Sequence, residues 1–171
     1  MFTRLRSLYY LSAVVLGTVG PLAVGSPSNA ASMNSAASRP SAATPYCVVV
    51  IARHSVGAER CVGTRARAAS LVPDTSTVIS IDYVNSGFQG ASLTWTESGT
   101  IHCSGFPNYQ ASSMPGGWND VVSSYRDFAS CSGNPHYENS GFKGAQVNCG
   151  PSCSYVGNAM NDRTSSEKWG S

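Results

Sequence analysis

Charge is scarce in this chain: only 12% of its 171 residues are Asp, Glu, Lys or Arg, and the formal balance is +2. So small a balance argues against nucleic acid or an anionic membrane as a partner. Histidine is limited to His54, His102 and His136. They are scattered and adjoin no cysteine pair at finger-like spacing, which argues against structural zinc. Catalytic signatures are missing as well. There is no GxSxG elbow, no HExxH and no phosphate loop. Glu97, Glu138 and Glu167 fall in unrelated repeat positions, so no pair of carboxylates stands out for glycosidase-type chemistry. The expectation is a protein that is not an enzyme.

Long apolar runs are also lacking, with one exception. Arg4 and Arg6 precede LYYLSAVVLG, and small residues follow, with candidate cleavage points after Gly25 or Ala30. The run is short for a membrane span of about 20 residues. A basic start, a short apolar core and a small-residue exit describe a secretory signal peptide over residues 1–30. The expected product is secreted, extracellular, monomeric and free of the membrane once the signal is removed.

What the chain does have is Gly, Ser, Thr and Asn, together with 6 Cys. That composition suits a small, turn-rich, cross-linked all-β domain rather than a helical one. In an oxidising compartment an even number of cysteines reads as disulfides. Six cysteines allow fifteen connectivities. Pairing sequence neighbours closes a plausible loop each time: Cys47 with Cys61, Cys103 with Cys131, and Cys149 with Cys153.

Residues 31–45, ASMNSAASRPSAATP, offer almost nothing to bury and read as a disordered linker. YCVVVIA then starts a hairpin that turns through Ser55 and Gly57 and returns as ERCVG. Thr64 is placed to cap a short helix, RARAASLV, stopped by Pro73. These pieces make a hairpin–helix segment, 46–73. The main domain, 78–171, consists of short strand-like pieces separated by Gly, Asn, Ser and Pro.

Two motifs occur twice and in the same order. YVNSGFQG (83–90) matches YENSGFKG (137–144), and WNDVVSS (118–124) matches MNDRTSS (160–166). A fixed-order pair repeated in this way indicates a duplicated supersecondary unit. In the first motif an aromatic and a Phe can stack over a folded hairpin, with Gly141 taking positive φ and Gly144 allowing close backbone approach. In the second, Trp118 and Met160 plug a core. Asn119, Asp120, Ser123 and Asn161, Asp162, Ser165 supply amide, carboxylate and hydroxyl oxygens at a bend. Oxygen-rich loops of this kind suit Ca²⁺, which takes six to eight oxygen ligands.

The combination resembles the βγ-crystallin double Greek key, and specifically its microbial calcium-binding branch. The resemblance covers about residues 78–169, with both signatures complete in both halves. It implies two four-stranded Greek keys packed as a β-sandwich. It also implies two calcium sites shared across a pseudo-twofold axis, each joining the bend of one half to the hairpin of the other. One would use Asn119, Asp120, the Val121 carbonyl and Ser123 with Glu138. The other would use Asn161, Asp162, the Arg163 carbonyl and Ser165 with the carbonyl of Val84. With a Glu in only one hairpin the sites should be unequal, the one holding Glu138 being tighter. Affinities are expected on the order of 10⁻⁴ to 10⁻³ M, or somewhat tighter.

The whole chain also resembles secreted actinobacterial metallopeptidase inhibitors with this fold. That makes a thermolysin-like secreted metalloprotease an alternative partner and the loop Cys149, Gly150, Pro151, Ser152, Cys153 the candidate inhibitory element. Gly150 offers no side chain to an apolar pocket and Pro151 limits extended pairing, so a plain turn staple competes with this reading. The segment Cys103–Gly117, carrying Phe106, Tyr109 and Met114, is a second exposed candidate.

Overall fold

The computed structural model describes residues 46–99 and 103–171. The expected signal peptide (1–30), the linker (31–45) and His102 lie outside the described residues.

The β-branched run forms β1 (Tyr46–Ala52), which turns at Arg53–His54 into β2 (Ser55–Val62). The turn comes earlier than read, and Ser55 and Gly57 lie inside β2. Cys47 and Cys61 face each other in the antiparallel register and are disulfide-bonded. Helix α1 (Arg65–Ala69) is capped by the Thr64 hydroxyl, which accepts from the Arg67 N–H at 3.3 Å. The helix ends sooner than Pro73 requires. Ser70 turns its hydroxyl back to the Arg67 carbonyl at 2.8 Å, a local bond that competes with continuation.

The repeated units follow. The first is β3 (Ser76–Asn85), β4 (Gln89–Ser98), β5 (Tyr109–Ala111) and β6 (Ser124–Asp127). The second is β7 (His136–Asn139), β8 (Lys143–Val147), β9 (Ser152–Cys153) and β10 (Ser166–Trp169). One sheet runs β2-β1-β4-β3-β6-β9 and the other β5-β10-β7-β8. Each unit therefore places three strands in its own sheet and sends its third strand to close the other unit's sheet. This reciprocal exchange is a double Greek key, and it locks the halves together. The N-terminal hairpin joins the same body, since β1 pairs in parallel with β4, Tyr46 opposite Ser92 through Ile51 opposite Glu97.

Between the sheets lie Val49, Ile51, Ile79, Leu93, Trp95, Trp118, Val122 and Trp169. Trp95 and Trp169 pack with ring centroids 4.8 Å apart. Trp118 and Met160 are the buried plugs expected of them. Tyr109 and Met114 are buried too, so the segment Cys103–Gly117 is not the open loop anticipated; only Phe106 of the three is exposed. Tyr109 lies in β5, whose residues cross to the second sheet, which turns its ring inward. The disulfides pair as sequence neighbours, Cys103 with Cys131 and Cys149 with Cys153 completing the set. Among the described residues no helix is long and apolar enough to cross a membrane.

Candidate metal centre

The two hairpins are conformational copies. Gly87 and Phe88 have φ of 71° and 64°, and Gly141 and Phe142 have 72° and 64°. Each Phe meets the Tyr at the strand start edge-on, Tyr83–Phe88 at 5.9 Å and Tyr137–Phe142 at 5.7 Å. A cation covers each Phe from the last strand of its unit: Arg126 over Phe88 at 3.8 Å and Lys168 over Phe142 at 4.3 Å. A Cβ on Gly90 would stand 2.7 Å from the Val84 and Asn85 side chains, so that position needs glycine for space as well as for its φ of 81°.

The second serine of each bend explains half of the duplication. Ser124 Oγ donates to the Asn85 carbonyl at 2.6 Å and accepts from the Phe88 N–H at 3.1 Å. Ser166 Oγ does the same with Asn139 O at 2.7 Å and Phe142 N–H at 3.0 Å. Each hydroxyl therefore staples the hairpin of its own half. Ser124→Ala and Ser166→Ala should each destabilise by about 2 kcal/mol, because a partly buried carbonyl and N–H lose their partner together. Urea denaturation against an exposed control, Ser132→Ala, measures this. A cost equal to the control's would remove the staple.

The first serines diverge, and with them the two ends of the centre. Ser165 Oγ donates across the halves to Asp120 Oδ1 at 3.1 Å, and its N–H donates to the Tyr137 carbonyl at 2.8 Å. Asp120, Ser165, Glu138, Asn139, Asp162 and Arg163 line one open depression. At the other end Ser123 Oγ donates to the Val84 carbonyl at 2.8 Å, and the Asp162 N–H reaches Val122 O at 3.2 Å. The backbone groups these side chains differently from the expected sets. Each first serine stays beside the hairpin of its own half, while the Asp120 carboxylate crosses to Ser165 and Asp162 reaches the other half through its N–H. The cause is in the backbone: the bends cross through Asp120 N–H to Thr164 O at 3.0 Å and its counterpart from Asp162. Val121 and Arg163 follow their aspartates in these same bends.

Asp120 and Asp162 hold left-handed φ of 58° and 56°, which Asp tolerates. Asn119 and Asn161 brace them, donating side-chain amides to Oδ2 at 2.6 and 3.1 Å. The carboxylate of Glu138 accepts the Ala145 N–H at 3.0 Å and is paired with the Arg163 guanidinium. The Ala145 N–H and the Arg163 charge both hold its pKa below the usual value. In chemical terms, the depression gathers the carboxylates of Asp120, Glu138 and Asp162 and the Ser165 hydroxyl, a hard-oxygen donor set suited to Ca²⁺. The Val84 end offers the Ser123 hydroxyl and the Val84 carbonyl.

The loop Cys149–Cys153 is held by its own domain. Ser152 and Cys153 form β9 and pair with Arg126 and Tyr125 of β6. The Pro151 carbonyl accepts from Asp127 N–H at 2.9 Å, and the Tyr125 hydroxyl accepts from Cys149 N–H at 2.8 Å. Cys153 is buried with Tyr125, Val156 and Met160. Backbone engaged in this way favours a staple over a strand offered to a protease.

A second polar group was not apparent from the motifs. Asp82, His136 and Glu167 meet fully buried between the sheets, so Glu167 does have a carboxylate partner. Asp127 lies beyond them, accepting from Asn134 Nδ2 at 2.9 Å. Burial pushes the Asp127 pKa up to about 7. The folded state thus keeps a proton that the unfolded chain releases near pH 4. This group's stabilisation is complete below about pH 4 and is lost as pH rises to about 7, with a slope of roughly 1.4 kcal/mol per pH unit. In EDTA-containing buffer, the stability difference between wild type and Asp127→Asn should therefore move in favour of Asn across that window. A pH-independent difference would contradict it.

No family model matches this chain, and no curated protein matches it. Among solved structures it is similar to a double mutant of a βγ-crystallin domain from Clostridium beijerinckii, at 23% identity and a TM-score of 0.38, covering 54% of this chain and 97% of that one. A βγ-crystallin from an archaeon gives 20% identity and a TM-score of 0.40, over 54% of this chain and 98% of the other. A clostrillin double mutant in complex with nickel gives 19% and 0.39, over 56% and 100%.

Proposed function

We propose that this chain is an exported, non-catalytic module that binds Ca²⁺ at two unequal sites between its halves. The supporting observation is the meeting of Asp120 with Ser165 beside the Glu138 hairpin, which brings oxygens of opposite halves to one surface depression. One site comprises Asp120, Ser165, Glu138 and the Arg163 carbonyl. The other comprises Asp162, Ser123 and the carbonyls of Val84 and Val121. Asn119 and Asn161 orient the carboxylates. The Glu138 site is the tighter, having two carboxylates against one, although Arg163 must swing away from Glu138 before a cation can take its place. Binding across the halves stabilises the fold by mass action. Export is supported by the signal-like N-terminus and by the three disulfides. The test is calorimetric titration of the purified chain with Ca²⁺. About two equivalents of unequal affinity, in the extracellular range of roughly 10⁻⁴ to 10⁻³ M or tighter, are expected. Absence of heat at millimolar calcium would sink the reading.

A further inference from the structure

We propose that Asp82, His136 and Glu167 form a second, buried metal site, distinct from the surface oxygen sites, for one divalent ion of the zinc class. Their ligand atoms all lie within 4.8 Å of one another, and all three side chains are fully buried. His136 Nε2 is 3.6 Å from Glu167 Oε2 and 3.9 Å from Asp82 Oδ1. These separations are too long for hydrogen bonds. Asp82 Oδ1, both Glu167 oxygens and both His136 nitrogens make no well-formed hydrogen bond, although the Asp82 and Glu167 carboxyls are close enough to interact. Several unpartnered polar atoms converging in an apolar interior are costly. A proton shared between the two carboxyls would ease that cost for the acids and leave His136 without a hydrogen bond.

An ion satisfies all three at once. Donors each about 2.1 Å from one Zn²⁺ stand about 3.4 Å apart in tetrahedral geometry and about 3.6 Å in trigonal geometry. The two histidine–carboxylate separations, 3.6 and 3.9 Å, need to close by at most about half an ångström, and the two carboxylates already lie within 4.8 Å. Two carboxylates and a neutral imidazole balance a divalent charge, and this mixed nitrogen–oxygen set favours zinc over calcium. The surroundings orient the donors. Trp95 Nε1 donates to Asp82 Oδ2 at 2.6 Å, leaving Oδ1 to face the histidine. The Tyr125 ring stacks on His136 at 4.2 Å, with an interplanar angle of 20°.

The duplication accounts for the position. Asp82 and His136 each precede a hairpin tyrosine, and Tyr125 and Glu167 each follow a stapling serine. The four occupy equivalent places in the two units and meet where the units cross. Because Asp82 is in β3 and the other two ligands are in β7 and β10, the ion would tie one half to the other.

The experiment refolds the full secreted chain oxidatively in Zn²⁺, dialyses it without chelator, and measures metal content by inductively coupled plasma mass spectrometry. About one zinc per chain is expected, undiminished by excess Ca²⁺ or by Asp120→Ala, and lost in His136→Gln and Glu167→Gln. Because buried variants can misfold, wild type refolded in Co²⁺ supplies an independent readout, the visible absorption of a low-symmetry cobalt site. Zinc at background together with no cobalt band in folded wild type overturns the proposal, and so does zinc retained in full by folded His136→Gln. None of these outcomes depends on whether the surface sites take calcium.

Discussion

Trp95→Ala is expected to cost about 5 kcal/mol, enough to leave a domain of ordinary stability largely unfolded at room temperature. Two losses add. Trp95 is fully buried against Trp169, so truncation leaves a large cavity in the core. The truncation also strands Asp82 Oδ2, which now accepts the indole N–H at 2.6 Å. Trp95→Phe separates the two, because it keeps most of the ring and loses only the donor. It should cost about 1–3 kcal/mol, the desolvation penalty of one buried acceptor. Circular dichroism during guanidinium unfolding measures both. A Phe variant as damaged as the Ala variant would mean that the hydrogen bond, not the packing, dominates.

Calcium affinity at the Glu138 end is expected to change most in two variants with opposite signs. Asp120→Ala removes one of the carboxylates lining that depression and the acceptor of the Ser165 hydroxyl. It should weaken that site by about 100-fold, a loss of about 2.7 kcal/mol, leaving the Asp162 site measurable. Arg163→Gln removes the guanidinium that pairs with Glu138. The folded chain must now break this pair before a cation enters, and the pair is half-exposed, so the gain should be modest, about three- to tenfold tighter. Calorimetric titration reads both. Equal affinity in wild type and Arg163→Gln would mean that the arginine does not compete for the site. Weakening on loss of Arg163 would mean that the guanidinium supports the ligand arrangement.

The contrast between these two sets of residues shows how far the sequence reaches. The hairpins, the plugs Trp118 and Met160, the N-cap Thr64 and the disulfide partners follow from local chemistry, because each depends on neighbours in the chain or on a repeated spacing. The double Greek key was legible because its motifs recur in order. What was not legible is set by the crossing of the bends. No spacing announces that Asp120 meets Ser165 while Ser123 stays with Val84, since backbone bonds between distant residues decide it. Tyr109 and Met114 look like residues of an open loop until β5 is seen to belong to the opposite sheet. Glu167 looked isolated for the same reason. Its partners, Asp82 and His136, stand at equivalent positions before the two tyrosines, a signal that aligning the repeats and asking which inward positions carry ionisable groups would have revealed.

The crossing of the aspartates is tested most directly by a crystal structure of the chain grown with calcium, with anomalous scattering used to place the ions. A peak bonded to Asp120 and Glu138 with the Ser165 hydroxyl in its shell is expected, and a weaker one bonded to Asp162 beside the Val84 carbonyl. Peaks that joined Asp120 to Val84, or an ordered depression with Arg163 still on Glu138 and no ion at saturating calcium, would contradict it.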